Sequence, residues 1–218
     1  MKQLNFFLLT FYFLVSMTIS CQISAQTYTI ETNLGNIQVK LYDKTPLHKE
    51  NFEKLVAEQF YDNVLFHRII AGFMIQTGNP ATKVAADEEA LEIELNYTVP
   101  AEFVPEYFHK KGALAAARTG DAVNPERRSS SSQFYIVQGR TYTDGELDQL
   151  EERLQFEFSE FQRGIYKTIG GTPFLDQNYT VFGEVINGLE VVDAIASLPT
   201  GPGDFPEKDI RILRIVKD

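Results

Sequence analysis

The sequence predicts an all-β, mainly antiparallel fold, and three observations carry that prediction. The stretch Phe66-His67-Arg68-Ile69-Ile70-Ala71-Gly72-Phe73-Met74-Ile75-Gln76-Thr77-Gly78-Asn79-Pro80 is a pair of short apolar runs hinged at Gly72, each with the composition of a buried strand. From Thr27 to Tyr42, Ile37, Val39 and Leu41 alternate with Gln38 and Lys40, and Asn33-Leu34-Gly35-Asn36 supplies a hairpin turn. At 218 residues the chain is long enough for one sizeable barrel or sandwich and does not require a second domain.

Residues 1–25 stand outside that fold. Lys2 gives a positive start, and Phe6 to Ile19 is an apolar run too short and too N-terminal for a membrane span, so the segment reads as a secretory leader. Two processing sites compete. Ile23-Ser24-Ala25 before Gln26 has the small residue that signal peptidase prefers, whereas Thr18-Ile19-Ser20-Cys21 resembles a relaxed lipobox, in which Cys21 would be lipidated and anchor the chain to a membrane. On either reading the domain of residues 26–218 is exported, periplasmic, and either soluble or lipid-anchored. Cys21 is the single cysteine, so no disulfide framework is available. Loss of Lys2 takes the net charge from −10 to −11, a poor basis for binding nucleic acid. His48, His67 and His109, spaced by 19 and 42 residues, make no metal signature.

Along the domain, Thr45-Pro46 predicts a helix start with Thr as N-cap, and Phe52, Leu55, Val56 and Phe60 give that helix one apolar face, suited to plugging the end of a barrel. Between Ala81 and Glu106 the pattern weakens: Asp87-Glu88-Glu89 reads as a solvated loop, and Leu91 to Leu95 alternates like a strand. Gly112-Ala113-Leu114-Ala115-Ala116-Ala117-Arg118-Thr119 reads as helix on propensity alone. Ser129 to Ser132 raises a nucleophile, but no histidine stands in a recognisable catalytic arrangement and there is no Gly-x-Ser-x-Gly elbow; a turn feeding the strand Gln133 to Val137 is the stronger reading. In that strand Gln133 and Tyr135 share one face, Phe134 and Ile136 the other.

A helical segment of about residues 141–171 follows. Thr143-Asp144-Gly145-Glu146 forms a capping box, and Leu147, Leu150, Leu154, Phe158 and Phe161 recur at spacings of three and four, which predicts one continuous helix from Thr143 to about Gln162. Its apolar stripe is expected against the barrel near Phe174, with Gly170-Gly171 as the returning bend; a partner-docking face is the alternative. Asn187 is the expected cap of a helix using Leu189, Val192 and Ile195, and Asp209 to Val216 the final strand.

The residues that point to chemistry lie in the first of these stretches. Arg68 and Ile70 share one strand face, as do Met74 and Gln76, and a bulge or tight bend at Gly72 would bring Phe73 to the same surface. A guanidinium among Ile, Phe and Met needs a partner, and no acid lies within the run. Either the Arg snorkels from a core strand, or its partner is distant in sequence or a ligand.

This run resembles the signature of the cyclophilins, peptidyl-prolyl cis/trans isomerases. Gly112 to Thr119 is similar to the family's Gly-x-x-x-x-Ala-Arg-Thr pattern, Ser132-Gln133-Phe134-Tyr135-Ile136 to its second signature, and Phe174-Leu175-Asp176 leading to Val181-Phe182-Gly183 to its third. The resemblance runs from about Thr27 to Val216, interrupted by the insertion. It implies a closed eight-stranded barrel capped by two helices near residues 46–60 and 188–197 with an additional inserted helix, and a strand at Gly112 to Thr119. It also implies a monomer with no cofactor and no metal, acting on proline-containing polypeptides. Arg68, Gln76 and Phe73 are the implied catalytic residues, and Ile70, Met74, Ala117, Gln133, Tyr135, Phe174, Leu175 and Tyr179 the implied substrate contacts. Phe174 stands where many eukaryotic members have Trp and Tyr179 where many have His, as in bacterial members; the family's usual glycine-rich stretch near residues 81–106 is missing. A module that grips proline segments without turnover is the competing reading, and retention of Arg68, Phe73 and Gln76 argues against it.

Overall fold

The structure, a computed structural model, describes residues 26–83 and 97–218. The expected leader with Cys21, the expected solvated loop at Asp87–Glu89 and the expected strand at Leu91–Leu95 lie outside the described residues.

Alternation builds the first layer. In β1 (Thr27–Thr32) and β2 (Gly35–Leu41), Tyr28, Ile30, Ile37, Val39 and Leu41 point inward and are buried. Further strands are β3 (Arg68–Ile70), β4 (Met74–Thr77), β5 (Thr98–Val99), β6 (Ala113–Ala116), β7 (Ser129–Ser130), β8 (Phe134–Val137), β9 (Val181–Asn187) and β10 (Ile212–Lys217). Eight of them form one sheet in the order β10-β1-β2-β9-β6-β8-β4-β3, paired antiparallel throughout, while β5 and β7 pair separately. The alanine run is β6, not a helix, because ladders to β8 and β9 on both sides outweigh its intrinsic propensity.

The expected closed barrel is an open, curled sheet, a half-barrel. No ladder joins β3 to β10; the two edges meet in an irregular seam. There Asn63 N–H donates to Ile212 O (2.8 Å), Ile212 N–H to Val64 O (2.9 Å) and Phe66 N–H to Ile210 O (2.8 Å). Asn63 has φ +63°, which turns the chain before β3 begins.

Four α-helices are present among the described residues, where a pair of caps and one inserted helix were expected: α1 (Pro46–Ala57), α2 (Asp144–Leu154), α3 (Glu160–Thr168) and α4 (Leu189–Ala196). Phe52 and Leu55 of α1, with Val192 and Ile195 of α4, complete the main core. Thr45 stands at the N-cap of α1 without capping it; the Glu102 carboxylate accepts the first-turn N–H groups of Leu47 (3.1 Å) and His48 (3.0 Å) instead. Gly188, not Asn187, precedes α4 (φ +90°), because a Cβ there would lie 2.3 Å from Asn36 O.

The insertion is two helices rather than one. α2 starts at the expected Thr143–Glu146 capping box and ends at Gln155 (φ +53°); a second box, Ser159 with Gln162, starts α3. The break divides the expected stripe. Leu147, Leu150 and Phe158 are buried with Phe108, Tyr142 and Tyr166, Leu154 and Phe174 pack at the margin, and Phe161 is 69 % exposed. Arg163 holds the pair together through Asp144 (3.1 Å), Asp148 (2.7 Å) and Glu151 (2.8 Å).

Candidate active site

The site forms on the sheet face opposite the main core. Register sets its central row: Arg68 is paired with Gln76, Gln76 with Tyr135, and Tyr135 with Ala115 across β3, β4, β8 and β6. Residues directly opposite in antiparallel strands project to the same side, so the guanidinium, amide and phenol stand side by side over small alanines. Gly72 (φ +73°) makes this possible as a tight bend rather than a bulge: it lies in a hairpin turn closed by Phe73 N–H to Ile70 O (3.0 Å).

Above the row is a cavity of about 100 Å³ lined by Arg68, Phe73, Met74, Gln76, Ala117, Tyr135, Leu175 and Tyr179, with Arg118 as an additional wall. Three of the sequence-derived residues lie just outside it. Gln133 accepts a hydrogen bond from Gln76 Nε2 (3.1 Å), Phe174 packs on Phe73 with ring centroids 5.6 Å apart, and Ile70 packs at the edge of the same apolar cluster.

Arg68 has a partner distant in sequence. Its Nε donates to Asp204 Oδ2 (3.2 Å) across 136 residues, and its side chain remains 42 % exposed. The two Nη atoms make no hydrogen bond among the described residues, so a charged donor faces the cavity.

Arg118 was missed as a wall, although it is the Arg of the Ala-Arg-Thr pattern. It donates to Asn178 O (2.8 Å), Thr119 O (2.9 Å) and Asp121 Oδ1 (2.6 Å), and its guanidinium lies 4.5 Å from the Tyr179 ring centre. These contacts fix one side of the cavity through a cation–π contact.

Behind Tyr135 runs a buried hydrogen-bond chain that the sequence did not disclose. Tyr135 Oη is 3.0 Å from His109 Nε2, and His109 Nδ1 is 2.8 Å from Asp176 Oδ1. That carboxylate also accepts the His109 backbone N–H (2.8 Å) and, at Oδ2, the Tyr166 hydroxyl of α3 (2.6 Å). Burial, first of all, pushes both phenols well above their ordinary pKa, with the Asp176 charge adding to it, so both remain protonated. With Nδ1–H donating to Asp176, Nε2 accepts from Tyr135 and every polar atom of the chain is satisfied.

The serine run also has a histidine, contrary to expectation. His48 Nε2 lies 2.9 Å from Ser129 Oγ and His48 Nδ1 2.7 Å from Glu102 Oε2. This has the connectivity of a catalytic triad, but Ser129 is 1 % exposed and the adjoining cavity, about 20 Å³ and not lined by Ser129, has room for little more than a water. The serines of β7 and the turn after it therefore tie α1 to the sheet. Among the described residues no group of three or more His, Cys, Asp or Glu is placed to hold a metal ion.

Residues 27–217 match the family described as cyclophilin type peptidyl-prolyl cis-trans isomerase/CLD. A Staphylococcus saprophyticus protein provisionally named a peptidyl-prolyl cis-trans isomerase is 36% identical over 186 residues, 84% of this chain and 87% of that one. A Streptococcus pyogenes protein provisionally named a bifunctional phosphatase/peptidyl-prolyl cis-trans isomerase is 34% identical over 195 residues; the match takes in 84% of this chain but 37% of that protein's length. The crystal structure of a cyclophilin type peptidyl-prolyl cis-trans isomerase from Cryptosporidium parvum is similar with a TM-score of 0.65 and 25% identity, covering 89% of this chain and 98% of that one. The same protein in the presence of the dipeptide Ala-Pro gives 0.63 at 25% identity, with 88% and 98% covered. Family match, relatives and fold agree, and the chain belongs to the cyclophilin-type peptidyl-prolyl cis-trans isomerases.

Proposed function

We propose that the protein accelerates X-Pro isomerisation in exported polypeptides by binding the twisted amide better than either planar form. The observation that carries this is the Arg68 guanidinium, with its Nη donors uncommitted among the described residues, at the wall of a ring-lined cavity. Amide resonance sets a barrier of roughly 18–20 kcal/mol and makes the uncatalysed reaction slow. Twisting removes conjugation from the proline nitrogen and turns it into a hydrogen-bond acceptor. A donor aimed at that atom is then stronger in the transition state than in the ground state, which is the condition for catalysis.

In this reading Arg68 is the donor, Gln76 holds the substrate backbone, and Phe73, Met74 and Tyr135 enclose the proline ring. Ala117, Leu175 and Tyr179 form the groove wall; Gln133, Ile70 and Phe174 support it from behind and beside. The crystallisation of a structural neighbour with Ala-Pro supports a proline-containing ligand. Residues 1–25 are the leader, processed after Ala25 or lipidated at Cys21, and the protein works as a monomer outside the cytoplasm. A protease-coupled isomerisation assay on an Ala-Pro peptide tests the activity, and Arg68→Ala tests the mechanism. Proline-peptide binding without turnover would instead make the domain a holdase. Fractionation with labelled palmitate tests the Cys21 reading.

A further inference from the structure

A second cavity, about 350 Å³, lies beside the proline cavity, and the insertion builds most of it: Tyr142, Glu146 and Arg153 line it together with Arg140, Gly72 and Phe174. Phe174 is the partition, since its ring packs on Phe73 of the proline cavity at 5.6 Å. An extended peptide rises about 3.3 Å per residue and crosses that partition in about two residues.

The charge of this cavity is out of keeping with the molecule. The chain carries 30 acidic and 20 basic residues, and eight of its nine arginines have a carboxylate within 4.0 Å. Arg153 is the exception among the described residues. It is exposed in the last turn of α2 and lines the second cavity without an ion pair. Its neighbour Arg140 is 2.8 Å from Glu146 and 4.0 Å over the Tyr142 ring. Glu146 is fully committed: Thr143 N–H (2.8 Å) and Arg140 hold it, and the Thr143 backbone bond, first of these, draws its pKa down to about 2. Glu146 thus offsets Arg140, and the positive charge of Arg153 is left over. A cation in the last turn suits the helix dipole, but that interaction does not require it to face a cavity.

We propose that this cavity is a flanking subsite of the isomerase, which takes an Asp or Glu side chain of the client two to four residues from the proline, with Arg153 as its charge partner and Arg140 as the second donor. The inference rests on the isomerase reading of the adjoining cavity and adds a substrate preference to it.

The test uses three Ala-Pro peptides of equal length: one neutral, one with Glu three residues before the proline, one with Glu three residues after it. For the wild-type protein, one acidic peptide should exceed the neutral one in kcat/KM by about three- to fivefold at low salt, the size of one partly exposed ion pair. That ratio should fall to about one in Arg153→Gln, invert in Arg153→Glu, and shrink for the wild type as salt is raised. The ratio within each variant is the readout, so a change in stability common to all peptides cancels. Equal kcat/KM for the three wild-type peptides, or a preference that survives Arg153→Glu, overturns the subsite while leaving the isomerase intact. Failure of the wild type to turn over even the neutral peptide overturns the isomerase reading and the subsite with it.

Discussion

Two buried histidines in this molecule hold the same chemistry in different settings. His48 joins Glu102 to the Ser129 hydroxyl, and His109 joins Asp176 to the Tyr135 hydroxyl, in both cases with Nδ1 on the carboxylate and Nε2 on the hydroxyl. By residue type alone the first is the better catalytic candidate. Yet Ser129 is almost fully buried and does not line the small cavity beside it, while the Tyr135 ring lines the one that also holds Arg68. A constellation becomes a site when a substrate can reach it, and here access separates a strut from a support for the active site.

The comparison breaks most visibly if the imidazoles are removed. His109→Leu should cost about 3–5 kcal/mol, because Asp176 is 4 % exposed and loses its imidazole partner where water cannot replace it. His48→Leu should cost about 1–3 kcal/mol, since Glu102 lies nearer the surface, where water can take the place of the imidazole. Urea unfolding measures both, and equal losses would erase the distinction.

A functional contrast comes next. Arg68→Ala should lower kcat/KM at least about tenfold, or about 1.4 kcal/mol, and leave the unfolding midpoint nearly unchanged because the side chain is half exposed. Ser129→Ala should leave kcat/KM where it is. If the coupled assay finds a wild-type rate in Arg68→Ala, the mechanism proposed for Arg68 fails.

A double-mutant cycle sharpens the His109 side. Tyr166→Phe removes one donor from Asp176, should cost about 1 kcal/mol of stability, and should lower kcat/KM about two- to fivefold. In a Tyr135→Phe background the activity effect should vanish, because the ring has lost the hydroxyl through which the chain acts. Additive effects would mean that Tyr166 serves the fold alone.

The smallest effect is in pH dependence. Burial lowers the pKa of His48, with Glu102 pulling less strongly the other way. The unfolded histidine takes up a proton near 6.5 and the folded one does not, so the unfolded state binds more protons as pH falls through that value, and stability declines. The urea midpoint should drop between about pH 7 and 5.5, and His48→Leu should flatten that part of the curve. An unaltered slope would assign it to other groups.

Much of the molecule was legible locally. Alternation in residues 27–42 marked β1 and β2, the Thr45-Pro46 start and the spacing of Phe52 and Leu55 marked α1, and the Thr143 capping box marked α2. The Ser159–Gln162 box is equally present in the sequence, but the apolar spacing from Leu147 to Phe161 runs across the break it marks and conceals it. Arg68 stood out as a cation on an apolar face, a property of six or seven adjacent residues.

What the sequence by itself determined, then, was whatever depends on neighbours along the chain: strand periodicity, caps, turns, and the residue types brought to the site. Tertiary structure alone decided what depends on pairing at a distance. The seam between residues 63–66 and 210–212 left the sheet an open half-barrel; the Arg68–Asp204 contact spans 136 residues, and the His109–Asp176 contact 67. Hydrogen bonds and ion pairs of this kind leave no periodic trace, because their geometry is set by the register of strands and the packing of helices rather than by spacing in the chain.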